Sequence, residues 1–110
     1  MPKLPKPPKA YDRFGSKFPK LREAWDLASE AGREGPLDEK TQRLVKLAIA
    51  IGGMREGAVH SAVRKARASG ASPGEIEQVV ALAASNLGFP STVAVFTWVE
   101  DELGKKKKKG

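Results

Sequence analysis

The single histidine of this 110-residue chain, His60, has a carboxylate one helical turn before it, at Glu56. On a helix, residues four apart lie on one face, where a carboxylate can orient an imidazole. The pair has the residue types of a general acid–base couple, so we predict His60 and Glu56 as candidate catalytic residues. Two alternative interpretations stay open: a pair that stabilises the helix surface, and a contact between copies of the chain.

Composition limits the other chemistry that the chain can perform. It contains no cysteine, so it offers no thiolate nucleophile, no disulfide and no zinc–thiolate site. One histidine without a second ligand at a typical spacing predicts no metal site within a single chain. We also expect no cofactor.

The positive charge is concentrated at the two ends. The net charge is +7, but eight of the 20 Lys and Arg residues are lysines before residue 10 or after residue 104, which leaves 12 basic and 13 acidic residues between them. Lysine-rich ends can contact nucleic acid without sequence specificity, which gives one alternative function. The basic residues Arg64, Lys65 and Arg67 are interpreted as a solvated face.

The length predicts one domain with two short extensions. Prolines at positions 2, 5, 7 and 8 disfavour a helix, so residues 1–12 are predicted as an extended or disordered arm, 13–104 as a helical domain and 105–110 as a polylysine tail. No apolar run approaches the roughly 18 residues of a spanning helix. We therefore expect a cytoplasmic protein without a membrane partner.

Apolar periodicity predicts about five helices and no strand. Asp38 is the expected N-cap of the second helix, and Ser72 with Glu75 forms a capping box before the fourth. Gly70 suits a left-handed position between the third and fourth helices. The predicted ranges are 19–34, 38–51, 55–69, 73–87 and 91–103.

The last predicted helix is apolar nearly all the way round, from Val93 to Val99. A helix that is apolar on every side must be enclosed, and five short helices cannot easily enclose one of their own number. The sequence therefore predicts a homo-oligomer.

The order of three stretches resembles a known family. They are "LDEKTQRLVKLAIAIG", "EGAVHSAVRKARASGASPGEIEQVV" and "LGFPSTVAVFTWVEDEL", which together run from Leu37 to Leu103. This arrangement resembles the carboxymuconolactone decarboxylase and alkylhydroperoxidase-D-like family. The resemblance implies an all-α helical bundle that assembles as a homo-trimer or hexamer.

The family's peroxidase branch uses two cysteines, a histidine and a glutamate. Aligned on "EG" and on Gly70, the cysteine positions fall on Arg55 and Ala58, the histidine position on Ala62 and the glutamate position on Arg43. None of the four residue types matches. Cysteine-dependent peroxidase activity is therefore not expected of this chain.

The decarboxylase branch needs no cysteine pair and acts on a carboxylated lactone. Its histidine position also falls on Ala62, and His60 lies about 200° away around the helix, so it cannot simply replace that group. The resemblance implies instead that Arg43 and Arg55 flank one cleft, where they could bind a carboxylate bidentately. Solvent-facing charges at helix ends are the alternative interpretation of both arginines.

These features predict a divergent family member that binds or transforms a small anionic compound. A decarboxylase-like lyase is the enzymatic interpretation. The alternatives are a non-catalytic oligomeric scaffold and weak nucleic-acid association through the lysine-rich ends.

Overall fold

A computed structural model describes the backbone of residues 9–109 and the side chains of residues 9–104. Within that part of the chain it contains six helices and no strand, which confirms the all-α prediction. None of these helices is long and apolar enough to cross a membrane. The helices are α1 (Lys9–Lys17), α2 (Pro19–Arg33), α3 (Glu39–Gly52), α4 (Glu56–Ala68), α5 (Pro73–Leu87) and α6 (Phe89–Lys109).

The core lies among the last four helices. α3 packs against α4 and α5, and α6 packs against the same two helices from another side. The α4 residues at the centre, Val59, Val63 and Ala66, are completely buried and small enough to let the neighbouring helices approach closely. The other helices add Leu47, Ala50, Ile51, Ala71, Ile76, Val80, Val95, Val99 and Leu103.

The predicted caps at Asp38 and Ser72 and the predicted turn at Gly70 are confirmed. The Asp38 side chain accepts a hydrogen bond from the Thr41 amide at 3.4 Å, and both hydrogen bonds of the capping box between Ser72 and Glu75 are present. Gly70 adopts a φ of +98°, the region that favours glycine. The Ser72 amide and then the Lys40 ammonium hold the pKa of Glu75 below its usual value.

Two predicted boundaries differ from the structure. The arm predicted over residues 1–12 ends earlier, because α1 begins at Lys9, immediately after the last of the four prolines. Residues 1–8 lie outside the described residues. The helix that the sequence analysis did not predict, α1, therefore spans the boundary that it placed between the arm and the helical domain.

The last helix is longer at both ends than predicted. It begins at Phe89, because Pro90 falls in the first turn, where a helix needs no amide donor. At the other end the backbone of the predicted polylysine tail continues the helix to Lys109, and Gly110 is outside the described part.

The first two helices form a unit beside this core. α1 packs against α2, with the Arg22 guanidinium 5.0 Å from the centre of the Tyr11 ring. No residue of α2 is buried, and Trp25 is 54% exposed. Its side chain contributes to the wall of a cavity on α3 and α4.

Candidate functional site

A cavity of about 550 Å³ lies where α2, α3 and α4 meet. Among the residues that the structure describes, four cationic side chains line it, from Arg43, Lys46, Arg55 and Lys65, and no aspartate or glutamate does. The rest of the wall is mostly apolar or small: Trp25, Ile49, Ala50, Gly53, Ala58, Ser61 and Ala62. The cavity therefore combines positive charge with apolar surface.

Helix spacing and one sharp turn bring the cations together. Arg43 and Lys46 lie three apart on α3, so they share a face of that helix. Arg55 occupies the N-cap of α4, directly after Met54 in a left-handed conformation with a φ of +53°. On α4, Lys65 follows two alanines, at 58 and 62, that lie on the same face and leave the space open.

Within residues 9–104, none of the four cations in this cavity forms an ion pair with a carboxylate. The Nε atom of Arg43 is buried and has no hydrogen-bond partner within residues 9–104. Burial, and then the charges of Arg43, Lys46 and Arg64, lower the pKa of Lys65 from its usual value. An anion in the cavity would offset this repulsion and could accept a hydrogen bond from Arg43.

The four positions that the resemblance assigns to the family's active site meet in this cavity. Arg43, Arg55, Ala58 and Ala62 all line it, although each carries a residue type that the peroxidase branch does not use. The structure thus brings Arg43 and Arg55 to one site, as the resemblance implied.

The sequence model of the carboxymuconolactone decarboxylase family matches residues 19–101. The chain belongs to the carboxymuconolactone decarboxylase family. The match begins at α2, 18 residues before the stretch on which the resemblance was based, so α2 and Trp25 are part of the family's domain. No curated protein and no solved structure matches the chain.

The predicted acid–base pair lies outside this cavity. His60 and Glu56 do not line it. The offset of about 200° between His60 and Ala62 turns the imidazole towards α6 instead. His60 Nε2 lies 3.4 Å from Glu56 Oε2, so the predicted pair is present, but within one chain it is separate from the two arginines.

The closest partner of His60 is a residue that the sequence analysis missed, Glu102. Nδ1 of His60 lies 2.6 Å from Glu102 Oε2, and Arg64 Nη1 lies 3.1 Å from the same oxygen. The Glu102 side chain is only 4% exposed. The sequence contains a signal for it, because Thr92, Val95, Val99 and Glu102 follow the spacing of one buried stripe of α6.

The interpretation of Arg64, Lys65 and Arg67 as one solvated face is wrong. Arg64 pairs with Glu102, Lys65 lines the cavity, and Arg67 Nη1 donates a hydrogen bond to the Ala71 carbonyl at 2.9 Å. Lys65 lies about 100° around α4 from Arg64 and borders the cavity, whereas Arg67 lies only about 60° from Arg64 but is held by the Ala71 carbonyl.

Proposed function

We propose that this member of the carboxymuconolactone decarboxylase family binds a small carboxylate in the cavity lined by Arg43, Lys46, Arg55 and Lys65. The observation that carries the proposal is the meeting of these four cations without an acidic residue in the lining. Charged side chains that repel one another are stabilised by an anion that neutralises them.

The shape and lining of the cavity favour an organic acid over an inorganic anion. Guanidinium groups bind carboxylates through two parallel hydrogen bonds, and Arg43 and Arg55 both border the space. Trp25 and Ile49 offer apolar surface for a carbon skeleton. A volume of about 550 Å³ lies within the range of small-molecule sites, roughly 300–1,000 Å³.

Binding is tested by thermal unfolding with succinate, and with succinamide as a neutral ligand of matched shape. We expect succinate alone to raise the melting temperature, because ligand binding to the folded state stabilises it. The variant Arg55→Ala should lose this shift. Arg33→Ala removes a guanidinium at the end of α2, outside the cavity, and should retain it.

Equal shifts with succinate and succinamide would contradict charge recognition. A shift that survives in Arg55→Ala but disappears in Arg33→Ala would place the anion outside the cavity. No shift with any dicarboxylate would favour the alternative of a non-catalytic scaffold.

We also infer that the chain self-associates as a homo-trimer or hexamer. Large apolar side chains are exposed in the single chain, with Leu82 67% and Phe89 78% exposed. Leu82 borders an apolar groove of about 380 Å³ between α3 and α5, with Leu44 and Val45 on its other side. Contiguous apolar surface of this kind is typical of protein interfaces.

Weak nucleic-acid association stays a prediction. Lys3 and Lys6 lie outside the described residues, as do the side chains of Lys105 to Lys109. A cytoplasmic location likewise stays a prediction.

A further inference from the structure

Lys65 differs from the other lysine of the cavity in its surroundings. Its side chain is partly buried, whereas Lys46 is exposed. It shares the cavity with Arg43 and Arg55, and no carboxylate in the lining can pair with its ammonium group. A lysine in these surroundings can be a reactive amine as well as a charge that binds an anion, because it loses its proton more readily than an exposed lysine.

We propose that Lys65 is an imine-forming amine that attacks the carbonyl carbon of a small 3-oxo acid held by Arg43 and Arg55. The proposal rests on the proposed carboxylate site and adds the reactive group and the substrate class.

An imine-forming residue needs a primary amine, and that amine must lose its proton readily. Lys65 meets both requirements. Guanidinium groups stay protonated in proteins, which excludes Arg43 and Arg55 as nucleophiles. Burial and the neighbouring charges favour the neutral form of Lys65 by lowering its pKa. Lysine amines that are desolvated or placed beside other cations form Schiff bases with carbonyl substrates.

The reaction balances without an oxidant or a metal. The Nζ lone pair of Lys65 adds to the carbonyl carbon, the carbonyl oxygen takes up two protons, and water leaves to give a protonated imine. The bond to the leaving carboxylate then breaks, its electron pair forms an enamine, and carbon dioxide departs. Protonation of the enamine carbon and hydrolysis of the imine release the shortened ketone and restore Lys65.

The carboxylate that the arginines bind cannot be the one that leaves as carbon dioxide. A carboxylate held by two guanidiniums is stabilised in its charged form, so decarboxylation of that same group would be slowed. The substrate class is therefore a 3-oxo acid with a second carboxylate, which stays on Arg43 and Arg55 while the first is lost.

The experiment is covalent trapping with oxaloacetate, a small acid of this class. The full chain is incubated with oxaloacetate, sodium cyanoborohydride and a metal chelator, and each lysine is examined by peptide mass spectrometry. We expect one secondary-amine adduct on Lys65. Carbon dioxide release should exceed the protein-free rate under the same conditions without the reductant.

Two lysine-to-arginine variants, both of which keep the positive charge, distinguish a reaction at Lys65 from general reaction of lysine amines. Lys65→Arg keeps the positive charge and cannot form an imine, so it should lose both the adduct and the excess carbon dioxide. Lys17→Arg makes the same change at an exposed lysine of α1, outside the cavity, and should retain both. Succinate binding by Lys65→Arg shows that this variant is folded.

The outcomes distinguish the two proposals. Succinate binding without an adduct on Lys65, or with adducts spread evenly over exposed lysines, would overturn the inference and leave the carboxylate site intact. An absence of succinate binding by the unmodified chain would remove the proposed function, and the inference with it.

Discussion

His60 lies between two carboxylates of very different exposure. The Glu56 side chain is 59% exposed and 3.4 Å away, whereas the Glu102 side chain is 4% exposed and 2.6 Å away. A buried carboxylate depends on its partners because it has lost most of its water, and the Arg64 guanidinium also contacts this carboxylate. At the scale of single residues, His60 therefore acts as a link between α4 and α6.

Removing the imidazole should cost far more than removing its exposed partner. We expect His60→Ala to lower the free energy of unfolding by about 2 kcal/mol, the range for a hydrogen bond to a charged group. Glu56→Ala breaks only a surface contact and should cost less than about 0.5 kcal/mol. Urea unfolding of both variants checks this, and equal losses would contradict the assigned linking role.

The helix elements follow from local chemistry. The turn before α5 is specified by Ser72, Pro73 and Glu75, which satisfy or remove the first amide donors of the helix. The Lys40 ammonium then reaches Glu75 at 2.9 Å, so the cap of α5 is also tied to α3. The ends of the helices therefore support the packing of α3 beside α5.

At the scale of the helices, the prediction concerns the side-chain hydroxyl of Ser72, which caps α5. Ser72→Ala removes the acceptor of the Glu75 amide hydrogen bond, 3.1 Å long, and should lower the free energy of unfolding by about 1 kcal/mol. Ser85→Ala makes the same change at an exposed position inside α5 and should have little effect or be slightly stabilising. Thermal unfolding compares them; a larger loss in Ser85→Ala would refute the capping argument.

The helices were predictable because their sequence signals are local. Most of the site was not predictable from local signals, because its contacts join different helices. Spacing and caps placed α3, α4 and α5 to within a residue or two. The position of Lys65 in the cavity and the pairing of Glu102 with His60 depend on how α4 meets α3 and α6, which no short stretch specifies. Arg43 and Arg55 were found because the family resemblance carries that tertiary information.

At the scale of the whole molecule, the single chain exposes large apolar side chains that its core does not cover. The groove between α3 and α5 is open in the single chain, and α6 exposes Phe89, Val93 and Phe96 on its outer side. Burial of such surface against another copy would contribute roughly 25 cal/mol for each Å². Self-association is the proposal that accounts for a helix that is apolar on nearly every side.

At the scale of the whole molecule, the prediction concerns Leu82, which borders the groove between α3 and α5. We expect sedimentation velocity to show a homo-oligomer for the unmodified chain and a shift towards monomer for Leu82→Lys, because a buried charge without a partner opposes association. Glu77→Lys introduces the same residue about 140° away on α5 and should leave the oligomer intact. A monomer in every sample would contradict the proposed assembly.

The measurement that tests the account most directly is a calorimetric titration of the chain with succinate at low and at high salt. We predict saturable binding that weakens as salt rises, because partly exposed charges are screened. In Arg55→Ala, affinity should fall at least about tenfold, the loss expected from one hydrogen bond to a charged group. Saturable binding unaffected by this substitution, or no binding heat at either salt concentration, would contradict the claim that these cations form a carboxylate site.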